Sequence, residues 1–325
     1  YSDWMRGKVP RCPFTCNLKR EIRDRERVMA NKARLFTAPP HHVNLAVHRL
    51  LGEWAGGMKH QGRALCHAIG VNVHSGAQWG NMRSYLLPHD DWLVVGPDFS
   101  GYDTSHLPEM NQKVADYICR MYPKKYHKAI HACLLSLCTY ENWDCGKDMR
   151  CVTGLASGSQ ITSQINCVYT FCVYYAAALR WFKGDHAAVN RNIRFVCYGD
   201  DTVLSISPLV QGSDKGASYL KHMIDFFWEC NYEITNGDKS ELTHFIPLSE
   251  VEFLKRRFRF DDTLNCVCCP LPEKQIFKSV LYYSEDTDDK EENRRSSLRA
   301  LALEMIELDP KTRRRVEMRL RDALS

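Results

Sequence analysis

Apolar and polar positions along this chain switch repeatedly between a helical and a strand period, and the switches mark its elements. After a Pro-Pro break at 39–40, Leu45, Val47, His48, Leu51 and Trp54 recur at helical spacing and predict a helix. Residues 60–90, rich in Gly, Asn and Ser, read as irregular connecting structure. The short apolar run in "DWLVVGPDFS" predicts a buried strand stopping at the carboxylate of Asp98. Helices are expected from about Pro108 to Met121 and from Lys124 to Cys138, and "CVTGLASGSQITSQINCVYTFCVYYAAALRWF" reads as a Gly-bearing loop leading into a long helix. "FVCYGDDTVLSI" predicts two buried strands joined by a tight turn. A helix "KGASYLKHMIDFFWEC", a loop "NGDKS" and a strand "VEFLKRRFRF" follow. From Glu273 onward the pattern is helical and charged, with one acidic, loop-like insertion at Ser284–Asn293. The order is mixed α and β, without repeats.

Composition narrows this picture only locally. A chain of 325 residues buries a large core and forms one large or two to three smaller lobes. Its net charge of +5 says little about partners, but ten basic residues lie between Arg6 and Arg34, opposed there only by Glu21, Asp24 and Glu26. That is a local field suited to phosphates, although "LKREIRDRER" also carries the i,i+4 spacing of a solvated helix face. The fifteen cysteines follow no secretory signal and sit in apolar segments, which fits buried reduced thiols of a cytosolic protein. Neither Cys12 and Cys16 nor Cys266, Cys268 and Cys269 has a second pair at zinc-finger spacing. The longest apolar run, Cys167 to Leu179, is shorter than the roughly 20 residues that cross a bilayer. Because the chain begins at Tyr1 rather than Met, a processed product or a part of a longer polypeptide is expected.

Candidate chemistry concentrates in three stretches. Asp200 and Asp201 stand side by side on a turn between two buried strands, where like charges repel and raise each other's pKa. An ordinary hairpin turn would more often set one Asp beside Gly or Asn. Asp98 and Asp103 lie five residues apart in "DFSGYD". In "SGSQITSQIN", Thr162 and Asn166 share a helix face, behind Ser157 and Gly158. If the strand of Asp98 lies beside the hairpin of Asp200 and Asp201, three carboxylates converge at one sheet edge. Such hard oxygen donors describe a Mg²⁺ site, and two ions about 4 Å apart stabilise the attacking and leaving oxygens of an in-line displacement.

In this order the stretches resemble the conserved motifs of viral RNA-dependent RNA polymerases, in particular the picornavirus-like group of positive-strand RNA viruses. Asp98 and Asp103 match motif A. Ser157, Gly158, Thr162 and Asn166 match motif B, and "YGDD" is similar to motif C. "NGDKS" with Lys239 matches the motif D loop, "FLKRRF" with Lys255 and Arg256 matches motif E, and "NKARLFTAPP" with Lys32 and Arg34 matches the basic motif F. "PLPEKQIFKSVLYYSED" resembles the corresponding segment of the thumb.

The resemblance implies an α+β fold, a cupped right hand with an antiparallel palm sheet backed by helices, partial fingers and a helical thumb. Partial fingers would occupy 1–90, the palm 91–130 and 151–260, a connection 131–150 and the thumb 261–325. Asp98 and Asp200 would be the main ligands of two Mg²⁺ ions, Mn²⁺ being the alternative, with Asp201 at the rim. Lys32 and Arg34 would hold the triphosphate, Lys239 would protonate the leaving pyrophosphate, and Asp103 and Asn166 with Ser157 or Thr162 would sense the ribose hydroxyls. Gly158, Lys255 and Arg256 would lie along RNA. Template and nascent RNA, NTPs and other viral replication proteins are the implied partners, at replication complexes on host cytoplasmic membranes. Two departures stand out: Ala156 where the family often has Pro, implying a loop that moves differently, and only about thirty residues before motif F. The second implies absent fingertips. The alternatives are a reverse transcriptase-like palm and a catalytically silent RNA-binding module.

Overall fold

The computed structural model describes residues 1–325 except 20, 22–24, 31–33, 61, 63–65, 143–148, 152–153, 212–214, 237–239, 282–288 and 325. At its centre an antiparallel sheet of three strands runs in the order Leu93–Val95, Asp201–Ile206, Ile193–Tyr198. Its strands read as unbroken apolar runs because both faces are covered. Val94, Val196 and Val203 pack on one side with Trp79 and Leu86. Phe195, Cys197, Leu204 and Ile206 pack on the other with Ile165, Tyr169 and Tyr174 of the long helix Thr162–Trp181. A sheet buried on both faces loses the alternation that a half-exposed strand would show.

The strand expected to stop at Asp98 does not stop there. It pairs with Asp201–Ile206 as far as Val95, breaks at Gly96, and resumes as Pro97–Ser100 against Glu233–Asn236, with Asp98 opposite Thr235. Pro97 lacks an N–H for a continuing ladder, and the break lets the chain change partners. Asp98 therefore sits within a second, two-stranded sheet beside the first.

Three further regions differ from the sequence reading. Within 60–90 the structure contains a helix, Gly76–Leu86, capped by the Ser75 hydroxyl on Gln78 N–H, which the Gly and polar positions had masked. Trp79 and Leu86, two turns apart, are fully buried and hold it. Near the N-terminus Pro13–Leu18 joins a four-stranded sheet in the order Leu35–Ala38, Pro13–Leu18, Tyr140–Asn142, Met149–Cys151. The run "VEFLKRRFRF" is not one strand. Glu252–Phe253 and Arg256–Arg257 form a tight hairpin, with Leu254 and Lys255 at φ of 54° and 60°, and Arg259–Asp261 pairs separately with Cys266–Cys268.

The helices Glu273–Leu281, Lys290–Ile306 and Pro310–Leu324 gather around their own core of Ile276, Leu301, Leu308, Val316 and Leu320. The described cysteines are unpaired, most of them buried or partly buried and Cys172 exposed. Among the described residues no helix is long and apolar enough to cross a membrane.

Trp79 meets Phe258 edge-on at 4.8 Å and Phe253 at 6.2 Å, linking the helix under the sheet to the 252–257 hairpin. Trp79→Ala should destabilise the fold by about 3–5 kcal/mol, through lost burial and a cavity that the sheet cannot collapse into. Denaturant unfolding would read this; a loss below about 1 kcal/mol would show that this junction does not hold the hairpin.

Candidate active site

The ladder Ile193–Tyr198 with Asp201–Ile206 closes at Tyr198 opposite Asp201, which leaves Gly199 and Asp200 as a two-residue turn. Gly199 has a φ of 67°, as the first position of such a turn requires. The long helix grips this turn from both ends. The Thr170 hydroxyl donates to the Gly199 carbonyl (2.6 Å), and the Gly199 N–H points at Cys167 Sγ (3.1 Å). Tyr102, from the segment after Asp98, lies 2.6 Å from the Thr170 hydroxyl and donates to the Asn166 carbonyl. Asp200 projects from the turn tip, and Asp201 enters the sheet behind it.

The carboxylates of Asp98, Asp200 and Asp201 act on one another. Desolvation in the crowded site raises Asp200, with the charge of Asp98 adding to it, while the Asp200 N–H and the Arg34 charge work the other way. Burial lifts Asp201 to about 7, even though its carboxylate accepts the Leu254 N–H at 2.6 Å; Asp200, Asp98 and Glu252 add their repulsion. Three hard oxygen donors in each other's field are a donor set that fits a divalent cation. Among the described residues no group of three or more His, Cys, Asp or Glu side chains is gathered closely enough to hold a metal ion.

On the adjoining side Asn166 Nδ2 donates to Asp103 Oδ1 at 2.7 Å. Burial raises Asp103, the Asn166 bond opposes this, Asp200 raises it further, and Arg34 and Lys19 lower it. Lys19 N–H donates to the Arg34 carbonyl (2.8 Å), so both cations leave the same end of the hairpin formed by Pro13–Leu18 and Leu35–Ala38. Arg34 also lies 3.6 Å from Glu21. The 154–158 loop clasps both flanks. Gly154 and Leu155 N–H groups donate to the His106 and Asp103 carbonyls, each at 2.8 Å. At its other end Ser157 Oγ accepts the Thr37 N–H (3.2 Å) and Gly158 N–H donates to the Thr37 carbonyl (2.8 Å).

Residues 4–321 match the family model described as viral RNA-dependent RNA polymerase. The chain belongs to this family. It is 25% identical over 280 residues to the RNA1 polyprotein of Grapevine chrome mosaic virus, covering 84% of this chain and 12% of that polyprotein. It is 24% identical over 336 residues to the replicase polyprotein of Drosophila C virus, covering 94% of this chain and 18% of that one. The chain thus spans a small part of these relatives. A solved Sicinivirus 3Dpol RNA dependent RNA polymerase superposes with a TM-score of 0.72 at 20% identity, covering 94% of this chain and 66% of that one. The chain is a picornavirus-like member of this family, and its sheets and helices follow the palm, fingers and thumb arrangement.

Within this fold the expected site residues are placed in different ways. Asp98, Asp200, Asp201, Asp103, Asn166 and Arg34 are within one electrostatic neighbourhood. Lys255 is exposed at the tip of its hairpin turn. Ser157, Gly158, Thr162 and Arg256 are engaged inside the protein. The Thr162 hydroxyl donates to the Ala156 and Ser159 carbonyls (2.8 and 3.0 Å) and is buried, so it shapes the loop instead of facing a sugar. Arg256 was expected along RNA, and the structure places it elsewhere. Only 5% of it is exposed, and its guanidinium binds both carboxylate oxygens of Glu304 (2.5 and 2.8 Å) and the Cys269 carbonyl. It docks the helix Lys290–Ile306 onto the 252–257 hairpin. Lys32 and Lys239 lie outside the described residues. Sequence reasoning missed Thr170, Tyr102 and Lys19. For Thr170 a signal existed, because the face of Thr162 and Asn166 continues to it at i+4.

Gly158 packs so closely that a Cβ would stand 2.9 Å from the Thr37 carbonyl oxygen and from Ala38 Cα. Gly158→Ala should cost about 1–3 kcal/mol in denaturant unfolding by forcing the loop off the strand; an unaffected variant would mean that the clasp gives freely. The Asp201 carboxyl sets a pH dependence. Its pKa rises from 3.8 to about 7 on folding, so the folded protein keeps a proton that the unfolded chain releases near pH 4. This stabilisation is complete below about pH 4 and is lost as pH rises through about 7. In buffer free of divalent cations, unfolding free energy should decline across that window and Asp201→Asn should flatten the decline. An unchanged slope in the variant would assign it to another group.

Proposed function

We propose that this chain carries out template-directed RNA synthesis: the 3′-hydroxyl oxygen of a growing RNA attacks the α-phosphorus of an NTP, a new P–O bond forms, and pyrophosphate leaves as its P–O bond breaks. The observation that carries this reading is that the charge of Asp200 acts together with that of Asp98, from the neighbouring two-stranded sheet, and with that of Asp103, which Asn166 binds, in a member of the polymerase family. Asp98 and Asp200 would hold Mg²⁺, with Asp201 behind them; when bound, the cations supply charge stabilisation to the attacking and leaving oxygens.

The chain's own residues do the remaining work. Arg34, with Lys19 beside it, draws the triphosphate toward Asp200, since a guanidinium binds phosphate oxygens in a bidentate fork. Asp103, oriented by Asn166, accepts a ribose hydroxyl and so favours NTPs over dNTPs. A DNA-making enzyme would want bulk there, so this pair disfavours the reverse transcriptase reading. Lys255 faces the product strand at its turn, and Lys239 would give its proton to the leaving pyrophosphate. Residues 91–130 and 151–260 act as palm, 1–90 as partial fingers with 131–150 connecting, and 261–325 as thumb. RNA, NTPs and other viral replication proteins are the proposed partners, at membrane-borne replication complexes in the host cytoplasm.

Asp200→Asn should lower extension of a primed RNA template by about 10³-fold or more, because it removes a charge at the reacting centre. RNA affinity should stay within about twofold, since the basic surface is untouched. Extension and filter binding on the same preparation would check this. Undiminished extension would remove Asp200 from the chemistry, and parallel loss of RNA binding would make the effect one of folding.

A further inference from the structure

His106 follows Asp103 by three residues, is fully buried, and has no part in the roles assigned above. Its ring stacks on Tyr169 (centroids 4.0 Å apart, 5° between planes) and meets Tyr102 edge-on at 4.6 Å, so neither rotation nor tilt is open to it. Nε2 lies 2.9 Å from Asn166 Oδ1, and Nδ1 lies 2.9 Å from the Tyr232 hydroxyl. A chain of four side chains therefore runs Tyr232, His106, Asn166, Asp103, and its far end is the carboxylate that faces the sugar.

Hydrogen-bonding chemistry gives this chain one direction. An ionised Asp103 only accepts, so the Asn166 amide must turn its NH₂ toward it and its carbonyl toward His106. A carbonyl also only accepts, so His106 must carry its proton on Nε2. Burial holds the imidazole near a pKa of about 4, hence neutral at physiological pH and bearing a single N–H. Nδ1 is then bare and accepts the Tyr232 O–H. Each bond fixes the next: the Asp103 carboxylate selects the amide orientation, the amide carbonyl selects the His106 tautomer, and the His106 N–H in return holds the amide in that orientation while Tyr232 donates to the bare Nδ1.

We infer that His106 is a positioning residue for sugar selection, holding the Asn166 amide with its NH₂ toward Asp103 so that the carboxylate meets a ribonucleotide's hydroxyl in one orientation. This rests on the polymerase reading above. Without the His106 N–H the two orientations of the amide differ little on that side, and in the flipped one the Asn166 carbonyl faces the Asp103 carboxylate. The contact with the ribose hydroxyl weakens, while a deoxyribose loses nothing that it had.

The test compares the unmodified protein with His106→Leu, which removes the donor, and His106→Gln, which returns an N–H near the Nε2 position. Primer extension with GTP and with dGTP on an oligo(C) template gives kcat/KM for each. In His106→Leu the GTP:dGTP ratio should fall about tenfold, nearly all of it in the GTP arm, and His106→Gln should keep the ratio within about threefold. A ratio unchanged in His106→Leu, or equal losses with both nucleotides, would reduce His106 to packing and overturn the inference. A second readout needs no activity. The Asn166 side-chain amide protons, located by ¹⁵N-asparagine labelling and by their absence in Asn166→Asp, should exchange slowly with water in the unmodified protein and in His106→Gln. In folded His106→Leu they should exchange about tenfold faster, and equal protection in all three would overturn the positioning role. An unmodified protein that extends no primer overturns the polymerase reading instead, with the amide exchange still deciding whether His106 orients Asn166.

Discussion

Mutual repulsion among carboxylates is the constraint around which this structure is arranged. Burial raises the pKa of Asp200 and Asp201, the charge of Asp98 adds to both and that of Asp200 to Asp201, and nothing in their own strands would keep these carboxylates together. The restraint comes from the backbone. A two-residue turn leaves Asp200 no freedom to retreat, and the long helix fixes that turn by holding both the N–H and the carbonyl of Gly199. Asp201 is tied down from the other side by the Leu254 N–H. The repulsion is thus opposed by hydrogen bonds from two elements that the hairpin does not itself contain.

The same logic explains the 154–158 loop. It carries no charge, yet it binds the Asp103 and His106 carbonyls at one end and Thr37 at the other. The strand of Thr37 begins beside Arg34, so the loop joins the cation that acts on Asp103 and Asp200 to the segment that carries Asp103. Ser157 and Gly158 serve first as this fastening, and any contact with nucleotide or RNA comes through a loop already anchored at both ends.

What the sequence disclosed follows from how local each signal is. The long helix, the helices near 108–138 and the "YGDD" hairpin depend on periodicity and turn chemistry within a dozen residues, and all were legible. The sheet of Pro13–Leu18 was not, because one partner strand is Tyr140–Asn142, more than a hundred residues on. The 252–257 hairpin was hidden for a different reason. Its turn puts Leu254 and Lys255 at positive φ without Gly or Asn, and the Leu254 bond to Asp201 helps hold that conformation. In the site, the acidic residues were readable as fixed motifs, whereas the partners that orient them were not: Arg256 could not be known to meet Glu304, nor His106 to meet Asn166.

These partners also set a gradient of charge across the site. Arg34 reaches both Asp103 and Asp200, and Lys19 reaches Asp103, all on the side of the N-terminal sheet. Asp201, on the side of the 252–257 hairpin, faces Asp200, Asp98 and Glu252, with the Leu254 N–H to oppose them. Burial, with these charges adding to it, holds its carboxyl high, at about 7, while Arg34 opposes the rise at Asp200. Positive charge arriving at the turn therefore meets an Asp200 whose rise Arg34 opposes and an Asp201 that still shares its proton near neutral pH. That ordering follows from where Arg34, Lys19 and Glu252 lie, and it separates two adjacent aspartates: Asp200 stands exposed at the turn tip, and Asp201 binds the turn to the 252–257 hairpin.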